Sequence, residues 1–272
     1  MLFRQVMVSS TAAIGGSGAI AYGNAIGSII CNTALICAIT IAVAPAVCER
    51  KSLYVPFGFF FGSAILYALV AIFFRSFSRL FGFLLLAIFA VYMFVVIKTM
   101  KREPKPDLEE QETKTSPLWK DLLFLILGAG FIAVGANWLV FYGKQIATML
   151  GVPESVIALT FVALGTSLPE LVTAITSLVK KHGSLSLGNI IGANLFNIVL
   201  VCGMSISICP FDLPASKTIA GYNASLLVDI PVMFAVMLIM ALPPLLKGKM
   251  KRWQVISLLI IYAAFCTFQF AF

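Results

Sequence analysis

Within the apolar run from Ala158 to Val179, Gly165, Thr166, Ser167, Leu168, Pro169 and Glu170 follow one another. A carboxylate in the middle of a membrane-length apolar segment is costly, and a proline there removes a donor from the helix ladder. Together they describe an oxygen site. Gly165 is expected to let the chain unwind just before Pro169, freeing the carbonyls of Ala163 and Leu164. Those carbonyls, the hydroxyls of Thr166 and Ser167 and the Glu170 carboxylate are hard donors of the kind that hold Ca²⁺ or Na⁺. Glu170 would carry the charge that balances the cation.

The surrounding composition requires lipid. Of the 272 residues, 61% are hydrophobic and 11% charged, far outside the range of water-soluble domains. The six cysteines (Cys31, Cys37, Cys48, Cys202, Cys209 and Cys266) lie scattered in apolar stretches without a CxxC pair, so they read as small buried residues. The net charge of +8 sits in short clusters between apolar runs, where it sets topology and does not suit nucleic acid. Enzyme chemistry has no base: the one histidine, His182, lies beside Lys180 and Lys181, and no HExxH is present. No cofactor is implied. The sequence assigns no oligomeric state.

Apolar windows of membrane length fall near 19–47, 53–74, 79–99, 118–143, 153–179, 186–209, 222–245 and 253–272, which predicts eight spans after an N-terminal stub. The polar stretch around 100–117 is a solvated linker between a first half, 1–99, and a second, 118–272. Fourteen basic residues, among them Arg50, Lys51, Lys180, Lys181 and the cluster Lys247 to Arg252, occupy alternate loops. The other loops hold Arg75, Arg79, Lys144 and Lys217. By the positive-inside rule the linker is cytoplasmic and the C-terminus lies outside.

The halves also repeat each other. Residues 5–32 align without a gap on residues 170–197 at a constant offset of 165, sharing the pattern GNxIGxxxxN through Gly23, Asn24, Gly27 and Asn32 and through Gly188, Asn189, Gly192 and Asn197. The hinge within the first copy reads GGSG (15–18) and that within the second KKHG (180–183), so the two copies cross the membrane in opposite senses. Inverted repeats place an ion site at the midplane where the halves meet. Asn189 and Asn197 from one copy, and Asn24, Ser28 and Asn32 from the other, would add oxygens there. Glycines four apart, Gly23 with Gly27 and Gly188 with Gly192, suit close helix packing around it, and Gly58 with Gly62 suits packing elsewhere. Asp229, inside the span near 222–245, suits a packing or entry-vestibule role.

GTSLPEL (165–171) followed by GNIIGANLFNI (188–198) resembles the second alpha repeat of the sodium/calcium exchanger family, of bacterial type. The resemblance runs over nearly the whole chain. It implies an all-α polytopic fold of ten helices in two inverted halves, in a multi-pass inner-membrane protein that exchanges Ca²⁺ for Na⁺ or H⁺ by alternating access. It also implies that Thr166, Ser167, Glu170 and Asn197, with Ser28 and Asn32 of the first repeat, are cation ligands, Glu170, Thr166, Asn197 and Asn32 chief among them. The chain departs from the pattern at its start: the family's first helix and part of its second have no counterpart, and MLFRQ stands where the repeat predicts TSLPE. Gln5 is thus opposite Glu170, and Arg4 opposite Pro169. Ile29 stands opposite Asn194, and Ala193 opposite Ser28. These departures suggest a truncated chain or a homologue with weakened ion binding, which would survive as a membrane partner or decayed gene product.

The topology has a direct check. In a cysteine-free background, a cysteine at Glu110 should resist a membrane-impermeant maleimide in intact cells and one at Asp212 should react. The reverse pattern would overturn the orientation.

Overall fold

Hydrocarbon offers backbone amides no water, so a chain this apolar has to satisfy its peptide groups within its own segments. The computed structural model describes residues 2–43, 50–100, 118–179, 183–215, 217–248 and 252–271. Among these, nine helical rods run in chain order. Helix α1 is Leu2–Ile14; α2 comprises Gly18–Cys31, a π-helical turn Asn32–Ile36 and Cys37–Val43. Helix α3 is Arg50–Phe74, α4 is Arg79–Met100 and α5 is Leu118–Leu150. Helix α6 comprises Glu154–Ile157, a π turn Ala158–Val162 and Ala163–Val179, and α7 comprises Gly183–Phe196, a π turn Asn197–Cys202 and Gly203–Ile208. Helix α8 opens with the π turn Ser225–Asp229 and continues as Ile230–Lys247, and α9 is Arg252–Ala271. The rods follow the expected windows in chain order, with α5 reaching seven residues past its expected end, and among the described residues six helices are long and apolar enough to cross a membrane.

The 165-residue offset recurs in the backbone. Adding it to Gly18–Cys31 gives residues 183–196, the bounds of the equivalent segment of α7, and adding it to Asn32 gives Asn197, where the second π turn begins. Each repeat therefore carries a π turn at the same place, starting at the asparagine that closes the GNxIGxxxxN pattern. Such turns leave backbone groups out of the regular ladder and gather at functional positions.

The sense of crossing follows from the loops. Ser76 and Phe77 pair antiparallel with Asp212 and Phe211, Lys144 Nζ donates to the Gly15 carbonyl at 3.4 Å, and Arg79 donates to the Ile208 carbonyl at 3.3 Å. The first hinge, the α3–α4 loop, the end of α5 and the end of α7 thus share one end of the bundle. Helix α7 starts at the other end, roughly 39 Å away at 1.5 Å per residue, where the second hinge enters it. The hinges lie at opposite ends, as an inverted repeat requires. The hinge residues 180–182 themselves lie outside the described residues, as does most of the linker.

At the shared end a second short pair, Thr218–Ile219 with Tyr222–Asn223, replaces the expected start of a span near 222. Proline and asparagine there close the loop instead: Asn223 Nδ2 donates to the Pro214 carbonyl at 2.9 Å, and Asn223 Oδ1 accepts from the Ser225 amide at 2.8 Å.

Helix α2 is central and mostly buried, packing on α1, α6, α7, α8 and α9. Helix α4 packs on α7 and turns Leu80, Phe83, Phe94 and Ile97 outward, an apolar surface suited to lipid tails. The helices approach closely at Gly27, where an added Cβ would lie 2.5 Å from the Leu159 carbonyl oxygen and 2.7 Å from its Cα. At Gly23 it would lie 2.5 Å from the Ala158 Cβ. The first glycine pair therefore seats α2 on the π turn of α6. Gly23 and Gly27 are covered by residues 155–163. The second pair does not behave so: among the described residues an added Cβ at Gly188 or Gly192 meets nothing within 4 Å. Gly58 and Gly62 likewise face open space and do not serve packing within the chain.

Gly27→Ala should therefore lower the apparent Tm in detergent, with overpacking costing on the order of 1–3 kcal/mol. Gly192→Ala should leave it unchanged or raise it, because Ala is the better helix former by about 1 kcal/mol. Thermal unfolding of the two variants checks this, and equal destabilisation would refute it.

Candidate functional site

Helices α1, α2, α6 and α7 bring their polar residues together at one level, on either side of the junction between the repeats. Thr166, Ser167, Glu170, Asn197, Asn24, Ser28 and Asn32 are all buried, Glu170 with 7% of its surface exposed. The side chain of Asn189 lies outside the described residues, although its backbone belongs to α7. The expected unwinding at Ala163 and Leu164 is not found: Ala163–Val179 is helical through Pro169. The irregularity lies one turn earlier, in the π turn Ala158–Val162. A proline inside a membrane helix is tolerated where small ladder adjustments absorb it, and its missing N–H deprives the Gly165 carbonyl of its usual partner in place of the two carbonyls expected.

The polar residues divide into two sets. In the first, each group satisfies another. The Thr166 hydroxyl donates to Asn24 Oδ1 at 2.8 Å, Asn24 Nδ2 donates to Ser9 Oγ at 2.8 Å, and Ser28 Oγ lies 3.3 Å from Thr166 Oγ1. With the Thr166 proton committed, the Ser28 hydroxyl is the donor in that last contact. Asn24, Thr166 and Ser28 thus clamp α2 to α6, and their oxygens are largely engaged. A second clamp was not foreseen: Asn32 Nδ2 donates to Asn194 Oδ1 at 3.2 Å, and Asn194 Nδ2 donates to Thr33 Oγ1 at 2.7 Å. Asn194 and Thr33 both also reach the Met237 sulfur of α8. The signal for Asn194 was its mismatch with Ile29: it has no symmetric copy because it serves as the bridge.

In the second set, buried polar atoms have no hydrogen-bond partner. They are both carboxylate oxygens of Glu170, the Ser167 hydroxyl, Oδ1 and Nδ2 of Asn197, Oδ1 of Asn32, and Oε1 and Nε2 of Gln5. Glu170 with Gln5, and Asn197 with Asn32, are repeat partners at the offset of 165. Most buried polar groups in folded proteins are paired. Glu170 with Gln5 and Asn197 with Asn32 break this rule in pairs, and most of their unpaired atoms are hard oxygens; atoms of Arg4, Ser10, Ser63, Tyr67 and Ser207 are unpaired as well.

Asp229 stands apart. Its Oδ1 accepts from Gln269 Nε2 at 2.8 Å and its Oδ2 from the Tyr22 hydroxyl at 3.5 Å, so it ties α8 to α9 and α2. Its partners agree with a packing role.

With this geometry described, likeness to known proteins decides the family. The model of the sodium/calcium exchanger protein family matches residues 3–98 and 120–271. The chain belongs to the sodium/calcium exchanger family. The exchanger is 33% identical over 279 residues to the putative antiporter CaxA of Alkalimonas amylolytica, covering 98% of this chain and 82% of that protein. It is 36% identical over 151 residues to the sodium/calcium exchanger MaX1 of Methanosarcina acetivorans, covering 56% of this chain and 41% of that one. Among solved structures, the sodium-calcium exchanger NCX_Mj soaked with Na⁺ and Sr²⁺ superposes with a TM-score of 0.65 at 26% identity, covering 97% of the exchanger and 81% of that chain. The exchanger is a multi-pass membrane transporter and not an enzyme.

The clamp makes a stability prediction. Thr166→Val keeps the shape and removes the donor to Asn24 Oδ1, leaving a buried acceptor bare at a cost of about 1–3 kcal/mol. Thr166→Ser should retain most of the wild-type Tm. Equal losses in the two variants would show that the hydroxyl bond contributes nothing.

Proposed function

We propose that the exchanger moves Ca²⁺ against Na⁺ or H⁺ by alternating access, with Glu170, Ser167 and Asn197 of the second half and Asn32 of the first holding the cation. Thr166, Asn24 and Ser28 position these residues. The halves 1–99 and 118–272 act as the two inverted units, joined by the linker 100–117. The observation that carries this reading is the set of buried oxygens on Glu170, Ser167, Asn197 and Asn32 without hydrogen-bond partners. Uncompensated carboxylate at membrane depth costs at least ~2.5 kcal/mol on insertion scales, and a bound cation removes that cost. The family and the relatives named as antiporters and exchangers support cation exchange.

Only one carboxylate faces the site in this reading, because Gln5 stands at the symmetric position. Affinity of oxygen sites for Ca²⁺ rises with ligand charge. A transport-impaired homologue is the second reading, and Gln5 is the residue that favours it.

Counter-ion-driven ⁴⁵Ca²⁺ uptake into proteoliposomes tests both. Glu170→Gln should abolish uptake while leaving expression and membrane insertion intact, and full flux in that variant would remove Glu170 from the site. Gln5→Glu should lower the Ca²⁺ concentration for half-maximal uptake, by roughly seventyfold if the second carboxylate contributes about 2.5 kcal/mol. Absence of Ca²⁺ flux in both the native chain and Gln5→Glu would favour the second reading.

A further inference from the structure

Arg4 belongs to none of the basic clusters that mark the loops between the spans in the sequence. It lies in the first turn of α1 and is half-buried, with its Nε and Nη2 sealed from solvent without a hydrogen-bond acceptor. Both oxygens of Glu170 are sealed in the same way without a donor. The two residues flank one node of the structure. The backbone carbonyl of Gln5, next to Arg4, accepts from Asn24 Nδ2 at 3.5 Å, and Asn24 Oδ1 accepts from Thr166, one helical turn before Glu170. The first turn of α1 and the segment of α6 that carries the carboxylate are therefore both tied to Asn24 of α2. Among the described residues no hydrogen bond joins Arg4 to Glu170.

We propose that the Arg4 guanidinium is a tethered counter-cation for Glu170, so that a transported cation enters this site by displacing it. The inference rests on Glu170 being the cation site. An isolated buried charge of either sign is strongly unfavourable, and two opposite ones in the same low-dielectric region offset each other. A bidentate, fully hydrogen-bonded pair would lock the site; charges that interact without such bonds leave the carboxylate available. Counting Arg4, Glu170 and the neutral amides and hydroxyls, the site carries no net formal charge before a cation arrives. A divalent ion must therefore compete with a charge already built into the chain, and the exchanger without cargo does not hold a bare carboxylate at membrane depth. This sets the specificity of the site: binding is weaker than the donor oxygens alone would give, and the form without cargo is stabilised.

A stability cycle on the full chain in detergent tests it, in choline buffer free of Na⁺ and with Ca²⁺ alone as the probe. Without Ca²⁺, Arg4→Gln and Glu170→Gln should each lower the Tm by several degrees, and the double variant should recover most of that loss, because paired residues are not additive. Either single variant compared with the double reads the coupling if the other fails to fold. Arg4→Gln should need on the order of tenfold less Ca²⁺ than wild type for half-maximal thermal stabilisation, whereas Arg4→Lys should resemble wild type. Additive single variants, a double variant that does not fold, or an unchanged Ca²⁺ requirement in Arg4→Gln would overturn the role of Arg4. If Ca²⁺ still stabilises wild type but not Glu170→Gln in those cases, the reading of Glu170 as the cation site survives on its own. Loss of Ca²⁺ stabilisation in no variant, or stabilisation of none, would instead remove Glu170 as the site and the displacement with it.

Discussion

The structure depends on the cost of leaving an oxygen or a charge without a partner in hydrocarbon. Around α2 and α6 that cost is met in two ways. Asn24, Thr166, Ser28 and Ser9 satisfy one another, as do Asn32, Asn194 and Thr33, and these bonds fix the helices at a close separation. Glu170, Ser167 and Asn197 have no such bonds, and the clamps hold them in place. The clamped residues are oriented by their mutual bonds, and the oxygens of the second set are left buried without hydrogen-bond partners.

Close approach of the helices has a steric origin as well. Gly23 and Gly27 admit the backbone of the π turn Ala158–Val162, whose Leu159 carbonyl would clash with any side chain at Gly27. Without hydrophobic driving force between helices in lipid, such contacts are what association relies on. The π turn and the glycine pair are thus two parts of one fit, and they bring Thr166, two turns further along α6, within bonding distance of Asn24.

Much of this was legible in the sequence, because hydrophobic run length, basic-residue bias and a gap-free repeat each report a single strong physical constraint. The spans, the inverted sense of the repeats and the burial of Glu170, Asn197 and Asn32 follow from them. What was not legible depends on the partner across a helix interface. Pro169 suggested unwinding at Ala163 and Leu164, whereas the ladder yields at Ala158–Val162, where it meets Gly27. Gly188 and Gly192 have the same spacing as Gly23 and Gly27, yet among the described residues nothing lies within 4 Å of an added Cβ there, so the same glycine spacing accompanies different packing. Asn24 and Ser28 looked like free oxygens until their bonds to Thr166 were visible. Arg4 attracted attention only as a mismatch with Pro169, since its relation to Glu170 crosses the whole chain.

The two repeats are symmetric in shape and asymmetric in charge, and in the proposed cycle this matters. Inverted repeats with identical site residues would present the same chemistry to both faces as the halves exchange conformations. Here the carboxylate belongs to α6, while its symmetric position on α1 carries an amide followed by no charge and preceded by a guanidinium. An amide can turn either its oxygen or its N–H₂ toward a neighbour, so Gln5 can accept a cation's approach or donate to Glu170, but it cannot do both with one face. The carboxylate and guanidinium ride on different halves of the molecule. Any rocking of one half against the other changes their separation, and with it the electrostatic energy of the site, by an amount that grows as water is excluded. In the proposed cycle the inward- and outward-facing forms of the site would therefore differ in energy before any cation binds, and the cargo would offset that difference as well as its own dehydration.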